Sequence, residues 1–317
     1  MINLRYHIVS LVAVFLALTL GIIMGSTVID RAIVDGLRDR VDSVSRRADR
    51  TDGENRNLRS QVELLNGFAD EARDHLVRNR LRGVPVLVVT VQGVDRKPVE
   101  GLREALAVAQ AVPAGTLLLT NKLRLDNDGD VRALASAINA TQATADGVRR
   151  QALTRLAGAL DGSNGEANLI PSLAAAGFVG YEPPAPASTT TTLGLSSFPV
   201  AGLRFAMVSG AGAEAGDDRV GVPFTQALVA QATQQGLATS RVVAAESGQD
   251  APGGRAAFVG PLRSDGSLSA KLATVDDLES PMGQAAAVLA LADLTDARAG
   301  HYGVGPGAQR LLPSLEP

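Results

Sequence analysis

An uncharged apolar run, Ile8 to Ile29, constrains the fold more than any other feature of this sequence. As a helix, its 22 residues would span roughly 33 Å, enough to cross the hydrocarbon core of a bilayer, which is about 30 Å thick. The alternative is a cleaved signal peptide, whose apolar region is shorter and ends in a small-residue cleavage site. Gly21 to Ile29 stays apolar and has no such site. We therefore predict a retained transmembrane anchor over residues 1–29.

Small residues recur on one face of the predicted span, at Ala13, Ala17, Gly21 and Gly25. Gly21 and Gly25 have the GxxxG spacing that lets two membrane helices approach closely. Gly and Ala are also common in membrane helices in general, so the spacing alone is a weak signal. We predict a helix-packing face made of Ala17, Gly21 and Gly25.

A heptad repeat follows the apolar run and continues to about Asn79. Small and apolar residues occupy most a and d positions over about six heptads, with Thr51 and Asn55 as polar exceptions. This is more than the three or four heptads that distinguish a coiled coil from chance. The pattern predicts a coiled-coil stalk over residues 30–82. The predicted dimer seam contains Val34, Leu37, Val41, Val44, Asn55, Leu58, Val62 and Leu65.

The stalk sequence favours a parallel homodimer. Asn55 falls at an a position, where a buried amide selects register and two strands at some cost in stability. Parallel pairing would bring Arg47 near Asp52 and Glu54 near Arg59 of the other helix, and both pairs attract. Two alternatives stay open: pairing with the coil of a partner protein, and packing of the helix against its own head.

The remaining sequence predicts an α/β head with a Rossmann-like, wound βαβ pattern in two halves. The first half covers residues 83–181, a Pro/Ser/Thr-rich loop or hinge covers 182–202, and the second half covers 203–317. Strands are predicted at 84–91, 115–120, 204–209, 240–245, 256–259 and 272–275. Helices are predicted at 99–111, 130–140, 147–160, 224–235 and 282–298.

Two turns in the second half are candidate ligand sites. The loop from Gly210 to Gly216 follows a strand, but its spacing is GxGxxxG, acids follow it, and no helix begins directly after it. A phosphate cradle needs that helix, so a plain loop is favoured. Asp276 and Asp277 follow a short strand, where open α/β sheets collect ligands. A turn in which Asp277 or Ser280 caps the last helix is the favoured alternative.

Composition excludes several classes of chemistry. The chain has 317 residues, no cysteine and a net charge of −3, and its stalk arginines are interleaved with acids. These features give no support to nucleic-acid binding and exclude disulfides and thiolate metal sites. The histidines, His7, His75 and His301, lie far apart in the sequence. No catalytic set stands out, so we predict no enzyme and no evident cofactor, and His301 is only a weak candidate metal ligand.

The direction of the span is ambiguous. Five arginines between Arg31 and Arg47 follow it against Arg5 before it, and the positive-inside rule would make the stalk cytoplasmic. Long domains, however, translocate largely regardless of charge. The Pro/Ser/Thr tract at 183–192 is typical of exported surface segments. We therefore favour an extracytoplasmic head on a single-pass cell-membrane protein.

Both ends of the chain resemble a known family. The N-terminal pattern Met1 to Leu11 that leads into the apolar run, and C-terminal stretches around Asp276-Asp277, Gly300-His301-Tyr302-Gly303 and Leu311-Leu312-Pro313, are similar to the actinobacterial MctB family. The resemblance extends over essentially the full chain. It implies an envelope protein linked to copper homeostasis or resistance, with copper as the only metal suggested. Independently of the resemblance, the strand end at Asp276 and Asp277 and the position of Tyr302 beside His301 make these three the possible ligand-facing residues.

The family has been interpreted as an outer-membrane channel, and the residues of this chain do not favour that interpretation. A membrane β-barrel needs repeated segments of about ten residues that alternate apolar and polar. This chain instead predicts one helical span and βαβ units. The family resemblance also implies a second function, a coiled-coil scaffold or regulator that acts with a partner in cell separation at division.

Overall fold

The computed structural model describes residues 4–163, 165–166, 168–184, 194–248, 256–294 and 298–314. Most of the Pro/Ser/Thr tract, including Ser188, therefore lies outside the described residues, and the side chain of Val34 is not described either. The chain divides into two compact units, one from Met1 to Leu65 and one from Asn66 to Pro317.

The first unit is formed by one helix, α1, which extends from Leu4 to Val77 and enters the second unit at its end. The predicted anchor, from Leu4 onward, and the predicted stalk, as far as Val77, are thus helical without a break over 74 residues, and the helix ends five residues before the predicted end of the stalk. Its segment Leu4–Gly25 has a mean hydropathy of 2.6, is not buried in the protein, and meets the length and composition of a membrane span. This segment begins four residues before the predicted run and ends four residues earlier.

The second unit is an α/β head built on one seven-stranded sheet. Its strands are β1 (Pro85–Val91), β2 (Val112–Leu119), β3 (Val179–Glu182), β4 (Arg204–Gly210), β5 (Val242–Ser247), β6 (Ala273–Val275) and β7 (His301–Tyr302). Their order is β3-β2-β1-β4-β5-β6-β7. All neighbours pair in parallel except β2 and β3, so the sheet is mixed. Both parts of the head contribute to it, because β1 pairs directly with β4.

Helices cover both faces of the sheet. They are α2 (Arg96–Val108), α3 (Asp128–Ala137), α4 (Ala145–Asp161), α5 (Leu169–Ala175), α6 (Val222–Gln234), α7 (Val259–Ser264) and α8 (Pro281–Asp293). Apolar residues of α4, α5, α6 and α7 pack in one core with Leu87, Val89 and Leu117 of the sheet. Apolar residues of α2 and α8 pack in a second core with Val86 and Val88. Consecutive strand residues point to opposite faces, so the apolar run of β1 is buried on both sides.

The end of α1 is part of this second core. Val77 and Leu81 are fully buried in it. Arg73 donates to Oε1 of Gln284 on α8 at 2.8 Å. The backbone N–H of Leu81 donates to the carbonyl of Ala109 at 3.0 Å, just after α2. The last turns of α1 are therefore fixed to the head by both packing and hydrogen bonds.

Most strands and helices of the head agree with the sequence prediction to within a few residues, but one does not. Residues 256–259 were predicted as a strand; the structure has a turn there that leads into α7 at Val259. Phe258 is fully buried, so its burial reflects packing of the turn rather than strand pairing. A short apolar run does not distinguish these two cases by periodicity. The short strands β3 and β7 were not predicted.

Candidate functional site

The strand order reverses between β1 and β4, the position where open α/β sheets form a ligand crevice at their carboxyl ends. The glycine-rich loop from Gly210 to Gly216 begins there. In this protein the loop packs against the loop that follows β1. A Cβ atom on Gly93 would lie 2.1 Å from the carbonyl oxygen of Gly212, and one on Gly212 would lie 2.6 Å from that of Gly93.

Hydrogen bonds hold these two loops together. The N–H of Glu214 donates to the carbonyl of Gln92 at 2.7 Å. The Gln92 side chain accepts from the N–H of Asn121 at 3.0 Å, which adds the segment after β2. Backbone atoms of the protein therefore occupy the space between the loops. The glycines serve close packing of two backbones, in agreement with the interpretation that the sequence gives no phosphate cradle.

A second cluster of polar residues lies at the end of β6, around Asp276. Oδ2 of Asp276 lies 2.6 Å from Nη1 of Arg263, and the two side chains are 0% and 4% exposed. Oδ1 accepts hydrogen bonds from the N–H groups of Val304 at 2.8 Å and Gly305 at 3.0 Å. The Asp276 carboxylate is thus neutralised and hydrogen-bonded inside the protein. A buried ion pair needs these additional hydrogen bonds to offset its desolvation.

The Arg263 guanidinium has further acceptors. It donates to Oγ1 of Thr274 and to the carbonyl oxygens of Tyr302 and Pro306, each at 2.8 Å. Arg263 lies on α7, Thr274 on β6, and the two carbonyls in the C-terminal segment. The ion pair therefore connects three parts of the chain, and it holds the segment around β7 on the edge of the sheet.

His301 joins the same network. Its Nδ1 lies 3.0 Å from Oγ1 of Thr274, and the side chain is buried. Burial and the nearby Arg263 charge lower the pKa of His301 below its ordinary value. Lowering favours the neutral imidazole, the form that binds metals. Tyr302 is also buried; burial, with a smaller effect of the Asp293 charge, raises the pKa of its hydroxyl.

The predicted site residues are brought together only in part. Asp276 and His301 share the network through Arg263 and Thr274. Asp277 accepts from the hydroxyl of Ser280 at 2.7 Å. Ser280 caps α8, accepting from the N–H of Gly283 at 2.9 Å, as the sequence predicted. Within the described parts of the chain, no three His, Asp or Glu side chains come together as metal ligands would. Ligand-facing and metal-binding roles for these residues stay predictions.

The predicted seam side chains are exposed on α1. The set of exposed apolar residues comprises Leu37, Val41, Val44, Leu58, Val62 and Leu65. Asn55 and Ala17 are also exposed, and nothing lies within 4 Å of a Cβ added to Gly21 or Gly25. The sequence did not single out Leu64 and Phe68, which are exposed as well. Pairing through these side chains stays a prediction.

Sequence reasoning also missed buried charged residues of the head. No sequence signal pointed to Arg263, which lies between the predicted strands 256–259 and 272–275 in a segment with no predicted element. Glu246 at the end of β5 is buried, and it accepts the N–H groups of Ala257, Phe258 and Val259 at 2.9 to 3.0 Å. Burial raises the pKa of this carboxyl. The one available signal for Glu246 was its place after the apolar residues of a predicted strand.

The N-terminal helix is apolar, exposed and long enough to span a membrane, and a mixed α/β head follows it. The protein therefore belongs to the class of α/β proteins with an N-terminal candidate membrane span. Residues 1–313 match the model of the family described as "Copper transport outer membrane protein, MctB". The chain therefore belongs to the MctB family. It is 27% identical to proteins named "Copper transporter MctB" from Mycobacterium tuberculosis and Mycobacterium bovis, over 99% of this chain and 100% of each relative. Identity to the Mycobacterium leprae relative of that name is also 27%, over 97% of this chain and 98% of the relative.

Proposed function

We propose that this chain is a single-pass envelope protein that contributes to copper homeostasis or resistance and is not itself a pore. The family match over residues 1–313 carries the copper assignment, since the relatives are named copper transporters. Among the described residues, one helix meets the criteria of a membrane span. One span per chain would line a conducting pore only in a high-order assembly. An indirect role in copper handling therefore fits this chain better than conduction.

Copper titration of the purified full chain tests whether the role is indirect. We expect no stoichiometric binding of Cu(I) or Cu(II) at submicromolar concentration, because the described residues contain no three-ligand cluster and no cysteine is present. The His301→Ala variant is the comparison. Tight binding by the original chain that is lost in His301→Ala would overturn the indirect role and assign a copper ligand.

A growth assay tests the copper function itself. Cells that lack this protein should be more sensitive to copper salts than cells that carry it, and no more sensitive to zinc salts. Equal growth in copper would remove the copper assignment and leave the second candidate below.

The second candidate is a coiled-coil scaffold or regulator of envelope processes such as cell separation. The exposed heptad residues of α1 support it, because six apolar seam side chains face outward on one helix. We propose that they pair in a parallel homodimer or with the coil of a partner protein, and that Ala17, Gly21 and Gly25 pack in the membrane. Asn55 would then specify register.

Charge substitutions in the seam test this pairing. Leu58→Asp and Leu65→Asp should abolish crosslinked dimers or captured partners, since each places a carboxylate in an apolar seam. Leu64→Asp is the matched control, because Leu64 is 75% exposed, next to Leu65, and at an outer heptad position. Unchanged association in the seam variants, or equal loss in the control, would contradict the coiled coil. If copper sensitivity also changes in the seam variants, copper handling and coiled-coil association depend on the same mechanism.

We also propose that the head is extracytoplasmic. Ala143 is exposed in the loop before α4, and the chain contains no cysteine. An Ala143→Cys variant should therefore react with a membrane-impermeant maleimide on intact cells. Labelling only after lysis would place the head in the cytoplasm, as the arginines after the span suggest.

A further inference from the structure

A groove with a volume of about 840 Å³ lies between α4 and α6, on the opposite face of the sheet from α2 and α8. It is separate from the Asp276 network and from α1, because no residue of either lines it. Apolar residues of both helices contribute to its lining, namely Leu153 of α4 and Pro223, Ala227 and Ala230 of α6. A concave surface lined by both apolar and polar residues is typical of a ligand site.

Four arginines and two aspartates line the groove. They are Arg124, Arg149, Arg150 and Arg219, with Asp126 and Asp146. Among these described side chains, positive charges exceed negative ones by two. Asp217 and Asp218 precede Arg219 in the sequence, and their side chains are outside the described part of the chain. An excess of arginine around a concave surface attracts anions.

Three of the arginines are held in position. One carboxylate oxygen of Asp126 lies 2.9 Å from Nε of Arg124, and the other lies 3.3 Å from Nη1 of Arg219. One carboxylate therefore fixes two guanidinium groups. Arg149 is buried; it pairs with Asp146 and donates to the carbonyl of Arg124 at 2.9 Å. Fixed guanidinium groups lose less entropy when they bind an anion than free ones do.

Arg150 differs from the other three. It is exposed, and no ion pair or hydrogen bond is found for it among the described residues. The first turns of α4 and α6 also line the groove, through Asp146 and Pro223, and the N-terminal ends of helices carry partial positive charge. The helix ends therefore add to the field of the arginines.

We propose that this groove binds a phosphoryl group carried on a less polar body. The planar guanidinium fork matches phosphate oxygens in pairs, and the apolar residues that line the same groove would contact the rest of the ligand. The ligand is either a soluble phosphate ester or the headgroup of an anionic phospholipid. The residues that line this site are different from those of the Asp276 network and of the predicted seam.

Titration of the full chain in phosphatidylcholine nanodiscs with inorganic pyrophosphate tests the proposal by calorimetry. We expect saturable binding that weakens with added sodium chloride, since ion pairs at an exposed groove are screened. Arg150→Gln and Arg219→Gln should each weaken binding about tenfold. Neither change should unfold the protein, because Arg150 is exposed and Arg219 is an exposed residue whose ion pair with Asp126 also lies at the surface.

Arg82→Gln is the matched control, since Arg82 is exposed, lies outside the groove lining, and loses the same charge. Cosedimentation of the nanodiscs with vesicles of phosphatidylcholine and phosphatidylglycerol distinguishes the two ligand sources. Vesicle binding that is lost in Arg150→Gln assigns a lipid headgroup, and pyrophosphate binding alone assigns a soluble ester. Absence of binding to both probes, or equal binding by the groove variants and the control, would overturn the proposal.

Discussion

Arg263 and Asp276 form an ion pair of 2.6 Å in which both side chains are almost completely buried. Arg263 is on α7 and Asp276 follows β6, and the pair also binds the backbone of the C-terminal segment. Asp276 and Tyr302, two of the three residues that the sequence suggested as ligand-facing, thus contribute to a network that connects the last part of the chain to the sheet.

The Arg263→Met substitution should lower the free energy of unfolding by about 3–5 kcal/mol, because it leaves the buried Asp276 carboxylate without its counter-charge. Arg103→Met is the control, since Arg103 pairs with Glu182 at 3.0 Å on the surface. The control should cost no more than about 1 kcal/mol. Urea unfolding followed by circular dichroism measures both. Equal losses of unfolding free energy in the two variants would mean that the buried ion pair stabilises the protein no more than the surface pair does.

The Gly93→Ala substitution should destabilise the head and separate the loops after β1 and β4. Gly93 has a φ of 95°, and its new Cβ would collide with the carbonyl of Gly212. Gly202→Ala is the control, because Gly202 has a φ of 72° and open space around it. The Gly202→Ala variant should have a free energy of unfolding about 1–2 kcal/mol lower than that of the original chain, because of its backbone conformation alone. Thermal unfolding measures the stability of both variants. A smaller loss of stability in Gly93→Ala than in Gly202→Ala would refute the close packing of the two loops.

His301 should make the stability of the head depend on pH below about 6.5. Its pKa is lowered in the folded state, so the unfolded chain binds more protons as the pH falls through this range. Stability from His301 is therefore complete above the ordinary pKa and is lost as the pH falls through the lowered value. Unfolding free energies of the original chain and His301→Gln should converge as the pH falls. A constant difference between them from pH 7 to pH 5 would show that His301 does not titrate in this way.

If the proposed stalk pairs through its a and d positions, Asn55→Val should raise the thermal stability of the dimer and reduce its uniqueness. A buried amide at an a position costs stability but selects two-stranded, in-register pairing. We expect a higher melting temperature and a mixture of oligomers in sedimentation analysis. Asn57→Val, two residues away and outside the seam, should change neither quantity. A single dimeric species with unchanged melting would argue against Asn55 as the specificity residue.

Local patterns were sufficient for most elements of the head. The β-branched run of β1 predicted a strand buried on both faces, and Ser280 was a candidate helix cap before the structure showed it. The strand predicted for residues 256–259 was wrong because a buried turn and a buried strand share the same short apolar pattern. The β7 strand was not predicted because two residues are too few to show any periodicity.

The candidate sites were harder to predict than the elements. Asp276 was noticed in the sequence, but its partner Arg263 was not, since only the positions of α7 and β6 bring them together. The arginines of the groove come from three separate segments, around Arg124, Arg149 and Arg219. No spacing in the sequence connects them, because the distances between them depend on how α4 and α6 pack.

The sequence by itself determined the apolar N-terminal helix, the heptad surface that continues from it, and the α/β character of the head. These follow from hydrophobic periodicity, which acts between residues a few positions apart. Only the tertiary structure decided that β1 pairs with β4 in one mixed sheet, that Gly93 and Gly212 close the crevice, and that Asp276 is paired inside the protein. Each of these depends on contacts between distant segments, whose energies are set by burial and geometry in the folded chain rather than by any local pattern.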